Sequence, residues 1–270
     1  MTAAPSQAAA RPVGSAVALS ATGITKLYPA KDGRTTGISG ISLDIAEKTV
    51  VAVVGRSGSG KSTLLRTMAG LVTPDSGEVL CQGAPVTGPP PQLRCVFQDY
   101  GESLFPWTTV LGNVEFGARH GPAATRADRR RRAREALRLV GLPDVDDRYP
   151  WELSGGMQQR ASIARALASQ PRILLLDEPF GAVDALSRAR LQDMLQEVSA
   201  RLELTTVFVT HDLDEAVYLA DRVVVVDQRG EGLTADLPIT LPRPRHPVDS
   251  RESETFLSVR RALLETVLQP

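Results

Sequence analysis

Apolar and polar positions change period along this chain, and the changes mark its elements. From Ala18 the pattern is strand-like, and Ile41 to Ile45 alternates apolar with polar, which predicts a half-buried antiparallel strand. Val50–Val54 is a continuous, mostly β-branched run, as expected of a strand buried on both faces. Lys61 to Leu71 carries Leu64, Leu65, Met68 and Leu71 at helical spacing. Pro74 follows, and Asp75-Ser76-Gly77 reads as a turn. Residues 83–93 hold four prolines and predict a loop, and 101–122 is mixed, with Pro106-Trp107 as an exposed kink. Thr125 to Val140 predicts a helix opened by a Thr125/Asp128 capping box and closed by Gly141 and Pro143. Helices at Gly155–Ala168, Leu186–Leu202 and Leu213–Ala220 then alternate with strands at Ile173–Leu176, Thr206–Val209 and Arg222–Val226. This alternation predicts a largely parallel sheet covered by helices on both faces. The first 18 or so residues, rich in Ala, Pro and Ser, predict a disordered lead without a signal peptide. The proline-rich tail ends in an amphipathic helix with Phe256, Val259, Leu263 and Val267 on one face.

Composition narrows the picture by exclusion. Lys+Arg and Asp+Glu are both 31, so no global charge draws the chain to nucleic acid or an anionic membrane. No apolar run approaches the roughly 18–20 residues that span a bilayer. Two cysteines, Cys81 and Cys95, are too few for a disulfide framework or a four-cysteine zinc site, and read as reduced thiols in a cytosolic protein. Only four of the basic residues are Lys, which points to codon bias rather than function.

The chemistry begins at Gly55-Arg56-Ser57-Gly58-Ser59-Gly60-Lys61-Ser62-Thr63, which fits GxxxxGK[ST] between a buried strand and a helix. Gly55, Gly58 and Gly60 let backbone N–H groups converge on phosphate oxygens, and the helix N-terminus adds partial positive charge. Lys61 reaches the β- and γ-phosphates of a nucleotide, and the Ser62 hydroxyl ligates Mg²⁺. Ser57 and Thr63 complete the set.

A second signal is Ile173–Leu176 running straight into Asp177-Glu178-Pro179. Adjacent carboxylates at the end of a buried strand are costly without a cation. Asp177 can hold Mg²⁺ through its water shell, and Glu178 can act as general base for an attacking water. Taken alone, the pair also fits a charged turn.

The third signal is Leu153-Ser154-Gly155-Gly156-Met157-Gln158-Gln159-Arg160, where Ser154 is the N-cap of a helix and Gly155 and Gly156 expose N–H groups. With this segment the chain, over roughly 18–230, resembles the ATP-binding cassette (ABC) ATPases, whose signature motif it matches. The resemblance implies an α/β P-loop NTPase core with an antiparallel β subdomain and an inserted helical subdomain. It implies a lead at 1–17, a nucleotide-binding core at 18–99 and 154–230, a helical subdomain at 100–153 that contacts a membrane subunit, and a C-terminal extension at 231–270. It further implies that the signature closes on the γ-phosphate of ATP held by another subunit, so that two MgATP are sandwiched between two copies or paralogues.

Other positions follow from the resemblance individually. Tyr28 falls where the family stacks an aromatic on adenine, although the irregular insert Pro29–Gly37 follows it and a partly buried loop tyrosine is the plain alternative. Gln98, in Val96-Phe97-Gln98-Asp99, matches the glutamine that senses Mg²⁺ and water. Asp184, in Phe180-Gly181-Ala182-Val183-Asp184, matches the aspartate facing the opposite subunit, with Val183 replacing the usual Leu. His211 matches the switch histidine on the γ-phosphate.

Phe97-Gln98-Asp99 with Leu104-Phe105-Pro106-Trp107, the Asp177–Gly181 stretch, and Leu241-Pro242-Arg243-Pro244-Arg245 resemble the nitrate/sulfonate/taurine-type importer ATPases. This implies permease partners, a solute-binding protein acting indirectly, a small anionic solute, and a position on the cytoplasmic face of the cell membrane. Pro106-Trp107 is then either part of the groove for a permease coupling helix or a core tryptophan. The alternatives are a soluble ABC ATPase acting on nucleic acid or ribosomes, or an exporter's separate ATPase. The arginines between Arg126 and Arg138 read as a solvated helix face rather than a phosphate-binding one, and no nucleic-acid partner is expected.

Overall fold

The computed structural model describes residues 16–29, 35–98, 103–122, 125–181, 183–227 and 229–268. The expected lead up to residue 15, most of the insert after Pro29, and residues Asp99 and Ala182 lie outside the described residues. The chain forms two compact units, 1–88 with 209–270, and 89–208.

In the first unit, β1 (Val17–Pro29) pairs antiparallel with β2 (Thr35–Ala46) on one side and β4 (Ser76–Cys81) on the other, and β4 continues to the short β5 (Ala84–Pro85). Ile41, Leu43 and Ile45 are buried while Ser42 is exposed, as the alternation predicts. The stretch Asp75–Gly77 is not a simple turn, because β4 begins at Ser76. Gly77, at φ +84°, lies so close to β1 that a Cβ there would sit 2.4 Å from the Gly23 carbonyl oxygen. The glycine therefore serves a close approach of two strands. Asp75 locks the same edge. Its carboxylate accepts from Lys26 Nζ at 2.7 Å and from the Leu27 N–H at 2.9 Å, and these bonds, the Lys26 one first, hold it below the usual carboxylate range.

β3 (Val50–Val54) is buried along its whole length and runs parallel to β9 (Arg222–Val226). β10 (Leu233–Pro238) adds antiparallel to β9. Helix α1 (Lys61–Met68) stops three residues before the predicted Leu71. Gly70 adopts φ +70° just past the helix, and the Leu71 N–H turns back to the Arg66 carbonyl at 3.0 Å, a left-handed C-terminal cap.

In the second unit, β6 (Leu93–Val96) is parallel to β7 (Ile173–Asp177), with β8 (Thr205–Val209) beside β7. Leu93 opens a strand, so the proline-rich loop is shorter than 83–93. Helix α2 (Val110–Ala118) occupies a region without a clear period in the sequence. It is started by Thr109, whose Oγ1 accepts from the Gly112 N–H at 3.2 Å. Buried Asn113 ties α2 to the preceding loop. Its Oδ1 accepts from the Phe105 N–H at 2.7 Å and its Nδ2 donates to the Phe105 carbonyl at 3.1 Å.

Helix α3 (Arg126–Leu139) has the predicted capping box. The Asp128 N–H donates to Thr125 Oγ1 at 3.0 Å, and the Thr125 N–H donates to Asp128 Oδ2 at 3.2 Å. Thr125→Ala removes one arm and is expected to cost about 1 kcal/mol of stability, read as a lower midpoint in denaturant titration. The α3 arginines face acids. Arg130 lies 3.7 Å from Glu115, Arg131 3.0 Å from Glu135 and Arg134 2.7 Å from Asp146. Helices α4 (Gly155–Leu167) and α5 (Ala185–Arg201) follow in this unit. In the first unit come α6 (Leu213–Leu219), α7 (Asp249–Glu252) and α8 (Glu254–Leu268), the last burying Phe256 and Leu263. No helix among the described residues is long and apolar enough to cross a membrane.

Candidate functional site

The phosphate-loop candidates lie in the first unit. β3 delivers the chain to Gly55, and α1 begins at Lys61 after Gly60 at φ +86°. A Cβ at Gly60 would sit 2.4 Å from Ile38 Cγ2 and 2.7 Å from the Gly37 carbonyl oxygen, so both backbone angle and space require glycine here. Gly58 is also left-handed, at φ +83°. The Lys61 side chain is drawn back over the loop, with Nζ donating to the Gly55 and Arg56 carbonyls at 2.9 Å each. Ser62 and Thr63 occupy the first turn of α1, between Lys61 and the buried Leu64.

His211 belongs to the same unit. It is exposed between β8 and α6, on a loop pinned at both flanks. The Thr210 N–H donates to the Val53 carbonyl at 3.2 Å, next to the residue that launches the phosphate loop. Thr210 Oγ1 donates to buried Glu215 at 2.6 Å, and Asp212 caps α6 by accepting from the Asp214 N–H at 2.8 Å.

The second unit holds the paired carboxylates. Asp177 ends β7 and is 3% exposed. Glu178 follows in the left-handed region at φ +43°, a conformation that costs a non-glycine residue about 1–2 kcal/mol. Such strain gathers where the chain must aim a side chain. Gln98, just past β6, donates its Nε2 to Glu178 Oε2 at 3.3 Å, so two residues 80 apart in sequence meet at the ends of neighbouring parallel strands.

The signature segment lies in this unit too. Ser154 caps α4, its Oγ accepting from the Met157 N–H at 3.4 Å, and both Ser154 and Gly155 are exposed. Gln158 Nε2 donates to the Pro150 carbonyl at 2.9 Å and to the Leu153 carbonyl at 3.3 Å, bracing the entry to the helix. Gly156 is buried against α5, where a Cβ would come to 3.1 Å from Ser187 Cβ. Asp184 caps α5 from this side, accepting from the Leu186 and Ser187 N–H groups at 3.1 and 3.0 Å. These bonds, led by those from Ser187, hold its carboxyl below the usual range. The signature and Asp184 are thus neighbours through Gly156 and Ser187.

A family model described as ABC transporter matches residues 38–181, just over half of the chain. The chain belongs to the ABC transporter family. An ATP-binding protein of Brucella abortus is 48% identical over 84% of this chain and 86% of its own length. The nitrate import ATP-binding protein NrtC of Synechococcus elongatus is 41% identical over 88% of this chain but only 36% of its own, longer sequence. Among solved structures, a dimeric ATP-binding cassette in a post-hydrolysis state with ADP and Pi superposes with a TM-score of 0.72 at 30% identity, covering 82% of this chain and 98% of that one. The cbiO1 protein of Clostridium perfringens, part of an ABC transporter complex, has a TM-score of 0.73 at 27% identity, over 92% and 95% of the two chains. The α/β cassette fold follows, as do ATP binding and ATP hydrolysis as the chain's activity.

Within the ABC ATPase, Tyr28 lies on β1, 38% exposed, with Lys26 Nζ 5.7 Å from its ring centroid. Trp107 is no core residue. It is 76% exposed and stacks on Phe105 at 5.2 Å, which meets Phe116 edge-on at 4.9 Å. Sequence reasoning gave no role of its own to Gln158 or to Glu215. Glutamine at a helix entry and glutamate within a short helix are common, and only the carbonyls and the hydroxyl they meet single them out.

Proposed function

We propose that this chain is the motor of an ABC importer, working as a dimer on the cytoplasmic face of the membrane against permease subunits, with a small anion such as nitrate, a sulfonate or taurine as cargo delivered by a solute-binding protein. The exposed aromatic cluster on Trp107 carries the reading of a permease contact. An exposed tryptophan stacked on a second aromatic, and held by the buried Asn113 anchor, is suited to a protein partner rather than to solvent. The nitrate import relative at 41% identity supports the direction of transport and the solute class.

In this reading Lys61, with the amides of the Gly55–Thr63 loop, holds the β- and γ-phosphates, and Tyr28 receives the adenine. Ser62, Asp177 and Gln98 offer a hydroxyl, a carboxylate and an amide, all hard oxygen donors suited to magnesium, and Asp177 is buried at a strand end where a cation offsets its desolvation. Bound magnesium would supply charge neutralisation on the phosphates. Glu178 accepts the proton of the attacking water, with Gln98 aiming its carboxylate. His211 contacts the γ-phosphate, and Ser154, Gly155 and Gly156 of the second copy complete the anion site with Asp184 beside them.

Trp107→Ala tests the permease contact. It is expected to leave basal ATPase activity within about twofold and to weaken co-purification with the permease subunits by about tenfold or more, the effect of losing one aromatic anchor. Unchanged association would remove the cluster from the interface.

A further inference from the structure

The Leu241–Arg245 motif supplies none of the nucleotide contacts proposed above, yet its arginines are built into the fold. Arg245 has a buried side chain and donates from Nη1 to the carbonyls of Val217, Tyr218 and Ala220 at 3.2, 3.0 and 2.8 Å. These belong to the last turn of α6, where backbone acceptors have no partner within the helix and a cation is favoured. Arg245 also donates from Nη2 to the Leu241 carbonyl at 3.2 Å, which closes its own loop around the guanidinium. Burial lowers its pKa to about 10, so it remains a cation at neutral pH. Arg243 donates from Nη2 to the Leu219 carbonyl and to Asp221 Oδ1, both at 2.7 Å. Asp221 Oδ2 in turn accepts from the Val50 N–H at 2.9 Å, at the start of the strand that leads into the phosphate loop.

The other end of α6 is the His211 loop, held by Asp212 and by the Thr210–Glu215 bond. A seven-residue helix is about 10 Å long and does not hold its shape alone. Its two fixed ends are therefore coupled. We propose that Arg245, with Arg243, is a positioning residue for ATP hydrolysis, setting where His211 stands by clamping the far end of α6 to the start of β3. The proposal rests on the reading of His211 as the γ-phosphate contact.

The test is a double-mutant cycle on the purified protein, with steady-state ATPase rates and fluorescent-nucleotide binding measured for R245M, R245K, H211A and H211A/R245M. R245M is expected to lower kcat about fivefold or more while nucleotide affinity stays within about twofold, with R245K recovering most of the loss. In the H211A background R245M should have no further effect on kcat, as coupled positions require. A kcat loss of equal size with and without His211, or a loss that follows nucleotide affinity, would overturn the proposal. Wild-type kcat in H211A would instead sink the His211 reading beneath it. If R245M does not fold, R243Q, at a more exposed position, takes its place in the cycle with the same outcomes.

Discussion

Glu178→Gln is expected to lower ATP turnover by about 10²–10⁴-fold, the range for loss of a general base, while leaving ATP affinity near wild type. The substitution keeps the shape of the side chain and its place beside Gln98, and removes only the ability to accept a proton. The bond from Gln98 Nε2 at 3.3 Å can persist to an amide oxygen. Glu178 stands at φ +43° directly after the buried Asp177, and the Gln98 bond gives its carboxylate a fixed partner. With hydrolysis blocked and binding intact, the ATP-bound dimer should accumulate, visible by size-exclusion chromatography with light scattering. Wild-type turnover in this variant would assign the proton transfer elsewhere.

Ser154→Arg is expected to abolish turnover to a similar degree by a different route. Ser154 is exposed at the start of α4 in the second unit, Lys61 belongs to the first, and the dimeric post-hydrolysis relative shows that such cassettes pair. A bulky cation there would obstruct the anion site proposed at the Ser154–Gly156 amides and remove the cap on Met157, a loss of about 1 kcal/mol to the helix. ATP binding to the monomer, measured by fluorescent-nucleotide titration, should be nearly unchanged, while dimer formation and hydrolysis disappear together. Loss of monomer binding in parallel would place Ser154 with its own chain's nucleotide.

How far the sequence foretold these sites depends on the range of the forces involved. β3, β7 and β9 are nearly pure apolar runs, β8 adds two threonines to one, and burial on both faces accounts for such segments. The Thr125 and Ser154 caps were equally plain, because an N-cap is satisfied within three residues of itself. Helix α2 was hidden by Gly112 and Gly117, which weaken helix propensity; its stability comes from Asn113 and from packing. The same logic hid the role of Gly77, a turn residue by type but a contact residue by position. Glu178's left-handed backbone has no sequence signal at all, since glutamate has no preference for that region. The α6 carbonyls that Arg245 meets are 25–28 residues away along the chain, and nothing local announces them.

The glycine at 117 has a mechanical consequence. A Cβ there would sit 1.9 Å from the Arg165 carbonyl oxygen, so α2 and α4 touch backbone to backbone. Arg165 also reaches the Ser103 carbonyl, and its guanidinium lies 5.7 Å from the centre of the Phe105 ring. The loop bearing Trp107 and the helix that opens at Ser154 therefore share one stiff joint with almost no compressible side-chain layer between them. A larger residue at 117 would meet the α4 backbone itself, so the two helices would have to separate, at a cost in the stability of the joint.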